Sequence, residues 1–261
     1  MLRILVAIGL IILFGSPTRA DTRSHCGDGN VCDATLEGTI SNSDVLAFRE
    51  IAKKIASNQP SNPALIITLN SKGGDIKSAI EIGKIIRRLP KSAALVGRDD
   101  TCFSACVFVL AGAVLRSVSG KVGIHRPYTA TNEQQNFQTR QQEFTVLSRT
   151  IRDFLESMNL PSSLYDEMMQ IPPQATKVLS DAELGRFGLD RNDPVYQDLI
   201  DSDNARGYGL TKAEYLARKA RAFSSCPSLN APSSKNIEEL RQAYERERKC
   251  LEEVMTGVRQ N

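Results

Sequence analysis

The chain has 261 residues, of which 41% are hydrophobic and 24% charged, with 33 Lys/Arg against 30 Asp/Glu and a formal net charge of +3. That composition excludes a disordered chain and is too evenly charged for a protein that holds nucleic acid by bulk charge. Residues 205–261 carry eleven Lys/Arg against seven Asp/Glu, too interleaved with acid to change this.

At the start, Arg3 precedes an apolar run from Ile4 to Phe14, and small residues stand at Thr18 and Ala20. This is the pattern of a secretory signal peptide, residues 1–20, cleaved near Ala20/Asp21. The run is too short to span a bilayer, which needs about 20 apolar residues, so a periplasmic or secreted protein is expected. Residues 21–35 form a cysteine-containing N-terminal segment. All six cysteines (Cys26, Cys32, Cys102, Cys106, Cys226, Cys250) lie after residue 20, an even number that predicts disulfides in an exported chain. Sequence proximity favours Cys26 with Cys32 and Cys226 with Cys250. A zinc site on His25, Cys26 and Cys32 would lack a fourth ligand nearby.

Leu36–Ile40 reads as a short strand, and Ser41-Asn42-Ser43-Asp44 as a capping cluster for a helix through Val45, Phe48, Ile51 and Ile55. Asn58–Pro63 is a polar turn. Ala64–Leu69 is apolar enough for a buried strand, delivering a Gly73-Gly74 loop to a helix with Ile76, Ile80, Ile82 and Ile85. Ala93–Val96 is a strand leading to Ser104, which opens a helix through Val107–Leu110. Val122–Ile124 is another strand, ending at His125. Residues 132–158 form a long helix whose stripe of Phe137, Phe144, Leu147, Ile151, Phe154 and Met158 is core or subunit interface. Ser180-Asp181-Ala182-Glu183 is a capping box before Gly188-Leu189. Thr211 caps a further helix, Cys226–Ser234 is a Pro/Ser-rich linker, and Ile237, Leu240, Tyr244, Leu251 and Val254 mark a final amphipathic helix. The recurrence of strand, loop and helix predicts the α/β class, with the chemical residues where strands hand over to helices.

Those residues supply the parts of an acyl-transfer site. Ser104 is the candidate nucleophile, and His125 is its candidate base because the other histidine, His25, lies at the mature N-terminus. Gly73 and Ala105, the residue after the nucleophile, are the candidate oxyanion donors. Taken singly, a serine at a helix start is commonly a cap, and paired glycines are commonly a tight turn. Cys102 and Cys106 flank Ser104. Side chains four apart on a helix have Cβ atoms about 5–6 Å apart, beyond disulfide reach, so a bond between them requires Cys102 to precede the helix.

Four segments occur in an order that resembles the Clp protease proteolytic subunit (ClpP) family of the ClpP/crotonase superfamily. They are Leu69-Asn70-Ser71-Lys72-Gly73-Gly74-Asp75-Ile76, Cys102-Phe103-Ser104-Ala105-Cys106, Gly123-Ile124-His125-Arg126-Pro127, and Leu179-Ser180-Asp181-Ala182-Glu183 with Gly188-Leu189-Asp190. The resemblance runs over roughly residues 36–190. It implies a ClpP/crotonase-like spiral of repeated ββα units over residues 36–204, followed by a helical C-terminal extension, residues 205–261. It also implies peptide hydrolysis through a Ser104/His125 acyl-enzyme, with peptide or unfolded protein as substrate, a homo-oligomer assembled through the long helix, and no metal or organic cofactor. The cell envelope lacks ATP, so no ATPase partner is expected. Lys72 stands where the family has proline, and Thr176 where it has the triad aspartate; Asp181 is the nearest carboxylate, and no third residue is assigned. Thr176 supports the alternative of a catalytically weak or inactive binding scaffold of the cell envelope. Export argues against a crotonase-like enzyme acting on coenzyme A esters.

Overall fold

The computed structural model describes residues 21–26, 31–57, 64–89, 91–128, 136–226 and 237–258. The signal-peptide pattern, the Asn58–Pro63 turn and the linker after Cys226 lie outside the described residues. The chain divides into two compact units, residues 1–193 and 194–261. The division falls at Asp193/Pro194, ahead of the expected boundary at 204/205, because the helix Pro194–Gly207 belongs with the second unit.

The first unit is mixed α/β. Strand β1 (Asp21–Cys26) pairs antiparallel with β2 (Val31–Ile40), and β2 runs parallel to β3 (Ala64–Gly74). In β3 burial alternates along the strand, with Leu65, Ile67 and Leu69 inside, as period-2 geometry requires of a strand packed under helices. The sheet forks at β3. Leu65–Thr68 pair with β4 (Ser92–Val96), which pairs with β6 (Leu115–Val118); further along, Ser71 pairs with Cys102 of β5 (Thr101–Phe103). Strand β5 then pairs with β7 (Lys121–Ile124), and β7 antiparallel with β8 (Lys177–Val178). Two successive segments, β4–β5 and β6–β7, thus each give one strand to either arm before a helix follows.

Helix α1 (Asn42–Ser57) starts at the expected capping cluster. The buried Asp44 carboxylate accepts from Ser41 N (2.9 Å) and Oγ (3.0 Å) and from the Thr22 hydroxyl (2.7 Å), which ties β1 to the helix. Helix α2 (Ile76–Arg87) is capped by Asp75 and lies against α3 (Cys106–Gly112) at the closest possible approach: a Cβ on Gly112 would fall 2.5 Å from Gly83 Cα. Helix α4 (Phe137–Ser157) buries Leu147, Ile151, Phe154 and Leu155, and Phe154 meets Phe108 edge to face at 6.0 Å. Its first turn leaves Phe137 70% exposed, so only the latter part of the predicted stripe is core. Helices α5 (Ser163–Gln170) and α6 (Asp181–Phe187) complete the unit, α6 with the Ser180/Glu183 capping box.

The second unit contains α7 (Pro194–Gly207), α8 (Lys212–Ser225) and α9 (Ile237–Thr256). Ala205, Tyr215 and Met255 form its small core, Arg218 Nη1 donates to Met255 O (2.6 Å), and the Cys226–Cys250 disulfide joins the end of α8 to α9.

All three disulfides join sequence neighbours: Cys26–Cys32, Cys102–Cys106 and Cys226–Cys250. The first excludes the zinc alternative at His25, since disulfide sulfurs are not thiolate ligands. The second forms because Cys102 lies in β5, ahead of the helix. Among the described residues no helix is long and apolar enough to cross a membrane.

Candidate active site

Ser104 lies two residues before α3 rather than on it, in the turn between β5 and the helix. Its φ is +55°, a left-handed conformation that costs a non-glycine residue about 1–2 kcal/mol. Three contacts impose it: Ser104 N donates to Gly123 O (2.9 Å), Val107 N returns to Ser104 O (3.1 Å), and the disulfide closes across the turn from Cys102 to Cys106. Both cysteines are fully buried while Ser104 stays half-exposed.

His125 follows the last residue of β7. Its Nδ1 lies 2.9 Å from Arg126 O; a carbonyl only accepts, so Nδ1 carries a proton, and in the neutral ring the lone pair falls on Nε2, the tautomer a general base needs. Arg126 holds this corner in place, its N donating to Ile171 O (2.8 Å) and its Nε and Nη2 to Met169 O (3.0 and 2.8 Å). Tyr128 lies beside the imidazole with ring centroids 5.9 Å apart. Ser104 and His125 line the same groove, and no hydrogen bond joins them.

Gly73, next to last in β3, has φ +102°, and the expected Gly73-Gly74 loop is in fact strand, paired with Thr39 and Ile40 of β2. A Cβ on Gly73 would lie 2.7 Å from Ser104 Cβ and 3.0 Å from Ala105 N, so this backbone is pressed onto the nucleophile turn. The two oxyanion candidates differ. Ala105 N–H has no acceptor among the described residues, whereas Gly73 N–H donates to Ser71 Oγ (3.1 Å), whose own proton goes to Gly38 O. The second donor is therefore occupied in this structure, and a rotation of the Ser71 side chain about χ1 or of the 72–73 peptide would free it.

The antiparallel β7–β8 ladder ends with Ile124 opposite Lys177, and Thr176, the residue before β8, covers Gly123 with its Cγ2. Among the described residues no carboxylate hydrogen-bonds the imidazole. Asp181 is exposed at the first position of α6, and the carboxylate of that helix that is engaged is Glu183, bound to Lys177 Nζ (2.6 Å) and to Ser180 N (3.0 Å). Lys177 and Ser180 together hold the Glu183 carboxyl at about 2.

The groove has a volume of about 1070 Å³. One face of α2 (Lys77, Ile80, Glu81, Lys84) forms one wall and one face of α4 (Gln142, Val146, Thr150) the other. A smaller apolar recess, lined by Ile76, Phe108, Ile124 and Met168, opens at Ser104 and His125. Sequence reading missed three contributors: Ser71, Arg126 and helix α5. The first two sit inside the motifs already singled out, beside Gly73 and His125; nothing local marks α5, which acts through its backbone carbonyls.

No protein-family model and no curated protein matches this chain. Among solved structures, a mutant of the 1510-N membrane-bound stomatin-specific protease is similar at 15% identity and a TM-score of 0.48, over 61% of this chain and 76% of that one.

Proposed function

We propose that the first unit is an exported ClpP-like serine peptidase that works without ATP. Ser104 attacks the scissile carbonyl, His125 Nε2 takes its proton and returns it to the leaving amine, and Ala105 N–H stabilises the oxyanion. The observation that carries this reading is the convergence of a left-handed serine, a histidine and a backbone N–H with no acceptor among the described residues on the recess that opens off the groove. The forked sheet, fed by successive strand pairs each followed by a helix, supports the ClpP/crotonase-like spiral. Three disulfides fit an oxidising compartment. Peptides and unfolded chains are the substrates this groove admits, and the exposed start of α4 supports assembly of a homo-oligomer.

A binding scaffold is the second reading, favoured by Thr176 standing where the resembled family has its triad aspartate: without a carboxylate a Ser/His pair is slower by about 10⁴-fold. A fluorophosphonate probe separates the two. Labelling at Ser104 in the oxidised wild type, lost in both Ser104→Ala and His125→Ala and kept or raised in Thr176→Asp, is expected of the peptidase. A wild type that takes no label is a scaffold.

A further inference from the structure

Lys72, Lys77 and Lys84 line the groove from its Ser104 end along α2, all three exposed. Lys72 adjoins Gly73, and Lys77 and Lys84 stand two helical turns apart, about 10.5 Å along the axis. None has a carboxylate within ion-pair distance among the described residues. The groove's own carboxylates are otherwise engaged. Asp75 caps α2 by accepting from Ser78 N (2.8 Å) and Oγ (2.6 Å), and Glu81, which lines the groove between Lys77 and Lys84, pairs with Arg49 at 3.1 Å. Glu143, opposite on α4, has a bonding partner of its own. The α2 wall thus presents three lysines with no ion-pair partner among the described residues, facing an α4 wall that is polar except at Val146 and Leu147.

We infer that the groove selects extended polypeptide carrying carboxylate side chains, which pair with Lys72, Lys77 and Lys84 while Val146 and Leu147 of α4 cover the opposite face. The inference rests on the reading of this groove as the substrate channel. From Thr139 to Thr150 the α4 wall runs about 16 Å, the length of about five residues of extended chain. The Lys77 to Lys84 interval corresponds to about three such residues, a difference the flexible four-carbon lysine stems absorb. The lining cations are lysines, with no arginine to grip a phosphate bidentately, which fits scattered carboxylates better than a nucleic-acid backbone.

The test is fluorescence anisotropy on the full-length chain carrying Ser104→Ala, so that nothing is cleaved. The probes are labelled peptides of one length and apolar frame bearing Glu, Gln or Lys at alternate positions. At low salt the Glu peptide is expected to bind about tenfold more tightly than the Gln peptide, and the margin to shrink toward 0.15 M salt. Lys77→Glu/Lys84→Glu in the same background should abolish the margin and favour the Lys peptide, with circular dichroism confirming the fold. Equal binding of the three peptides, no binding of any, a preference that survives the double substitution, or tighter binding of a single-stranded oligonucleotide each overturns the inference. Fluorophosphonate labelling of the wild type decides the peptidase reading separately: Glu preference without label sinks that reading alone, and label without Glu preference sinks this inference alone.

Discussion

A single hydrogen atom at Gly73 stands where any side chain would strike the Ser104 turn. Any side chain there would suffer twice, from φ +102° and from a Cβ 2.7 Å from Ser104 Cβ and 2.8 Å from Phe103 O, both held by the sheet and the disulfide. Gly73→Ala is expected to lower stability by about 2 kcal/mol through the backbone conformation and steric displacement. Because the clash falls on Ser104, fluorophosphonate labelling should fall further than the folded fraction does. Measuring both in one set of denaturation and labelling experiments checks this; labelling that tracks folding alone would remove Gly73 from the site. The Gly73 N–H bond to Ser71 also makes Ser71→Ala informative, since it releases that donor toward the oxyanion position.

Two short elements are braced by contacts from beyond their own backbone. Strand β5 and helix α3 have three and seven residues, too few to fix the Ser104 turn by their own hydrogen bonds, and the Cys102–Cys106 bond closes that turn from inside the core. Closing so small a ring contributes about 2 kcal/mol by the chain-entropy model. Replacing both cysteines by serine should therefore cost moderate stability. It should cost labelling at Ser104 about 10²-fold, the penalty of misplacing a reacting group by an ångström. Opening Cys226–Cys250, in the other unit, should leave labelling unchanged. Helix α6 is braced by charge. Lys177, then the Ser180 backbone and hydroxyl, hold the Glu183 carboxyl at about 2, against an ordinary 4.5. A carboxyl depressed on folding stabilises the native state above 4.5, and that contribution is lost as pH falls from 4.5 toward 2. Melting temperatures across this window should drop less in Glu183→Gln than in the wild type, and the two should converge at the acid end.

Across the first unit, chain segments far apart in sequence are locked by one buried cluster. Asp193, 1% exposed, accepts from Arg87 (2.9 Å) and Asn159 (3.0 Å) and lies 4.0 Å from Arg116. Arg116, 2% exposed, donates to Ala111, Met158 and Gly188 carbonyls, and burial lowers its pKa to about 10. Removing the negative charge leaves Arg116 buried with little compensation, and breaking such a pair costs about 3 kcal/mol or more. Asp193→Asn should show this loss in chemical denaturation, with labelling of the remaining folded protein unchanged, since the cluster does not touch Ser104 or His125. Asp193 is also the last residue of its compact unit, so a truncation intended to isolate that unit must retain it.

The sequence by itself determined the α/β alternation, the long helices, the Ser180/Glu183 capping box and the Thr211 cap, and the motifs that hold Ser104, His125, Gly73 and Ala105. Each is a local property: apolar period, turn chemistry and short-range spacing act within a few residues, and they read the same before and after folding. The strands Thr101–Phe103, Leu115–Val118 and Lys177–Val178 were not legible, because runs of two to four residues have no period of their own and exist only as partners in a ladder. Only the tertiary structure decided that Cys102 precedes the helix and so reaches Cys106, that β3 runs on through both glycines, and that Gly73 spends its N–H on Ser71. It likewise decided the unit boundary at Asp193 and the row of lysines facing α4, because which long side chains face one groove depends on how helices pack across distances that no sequence window spans.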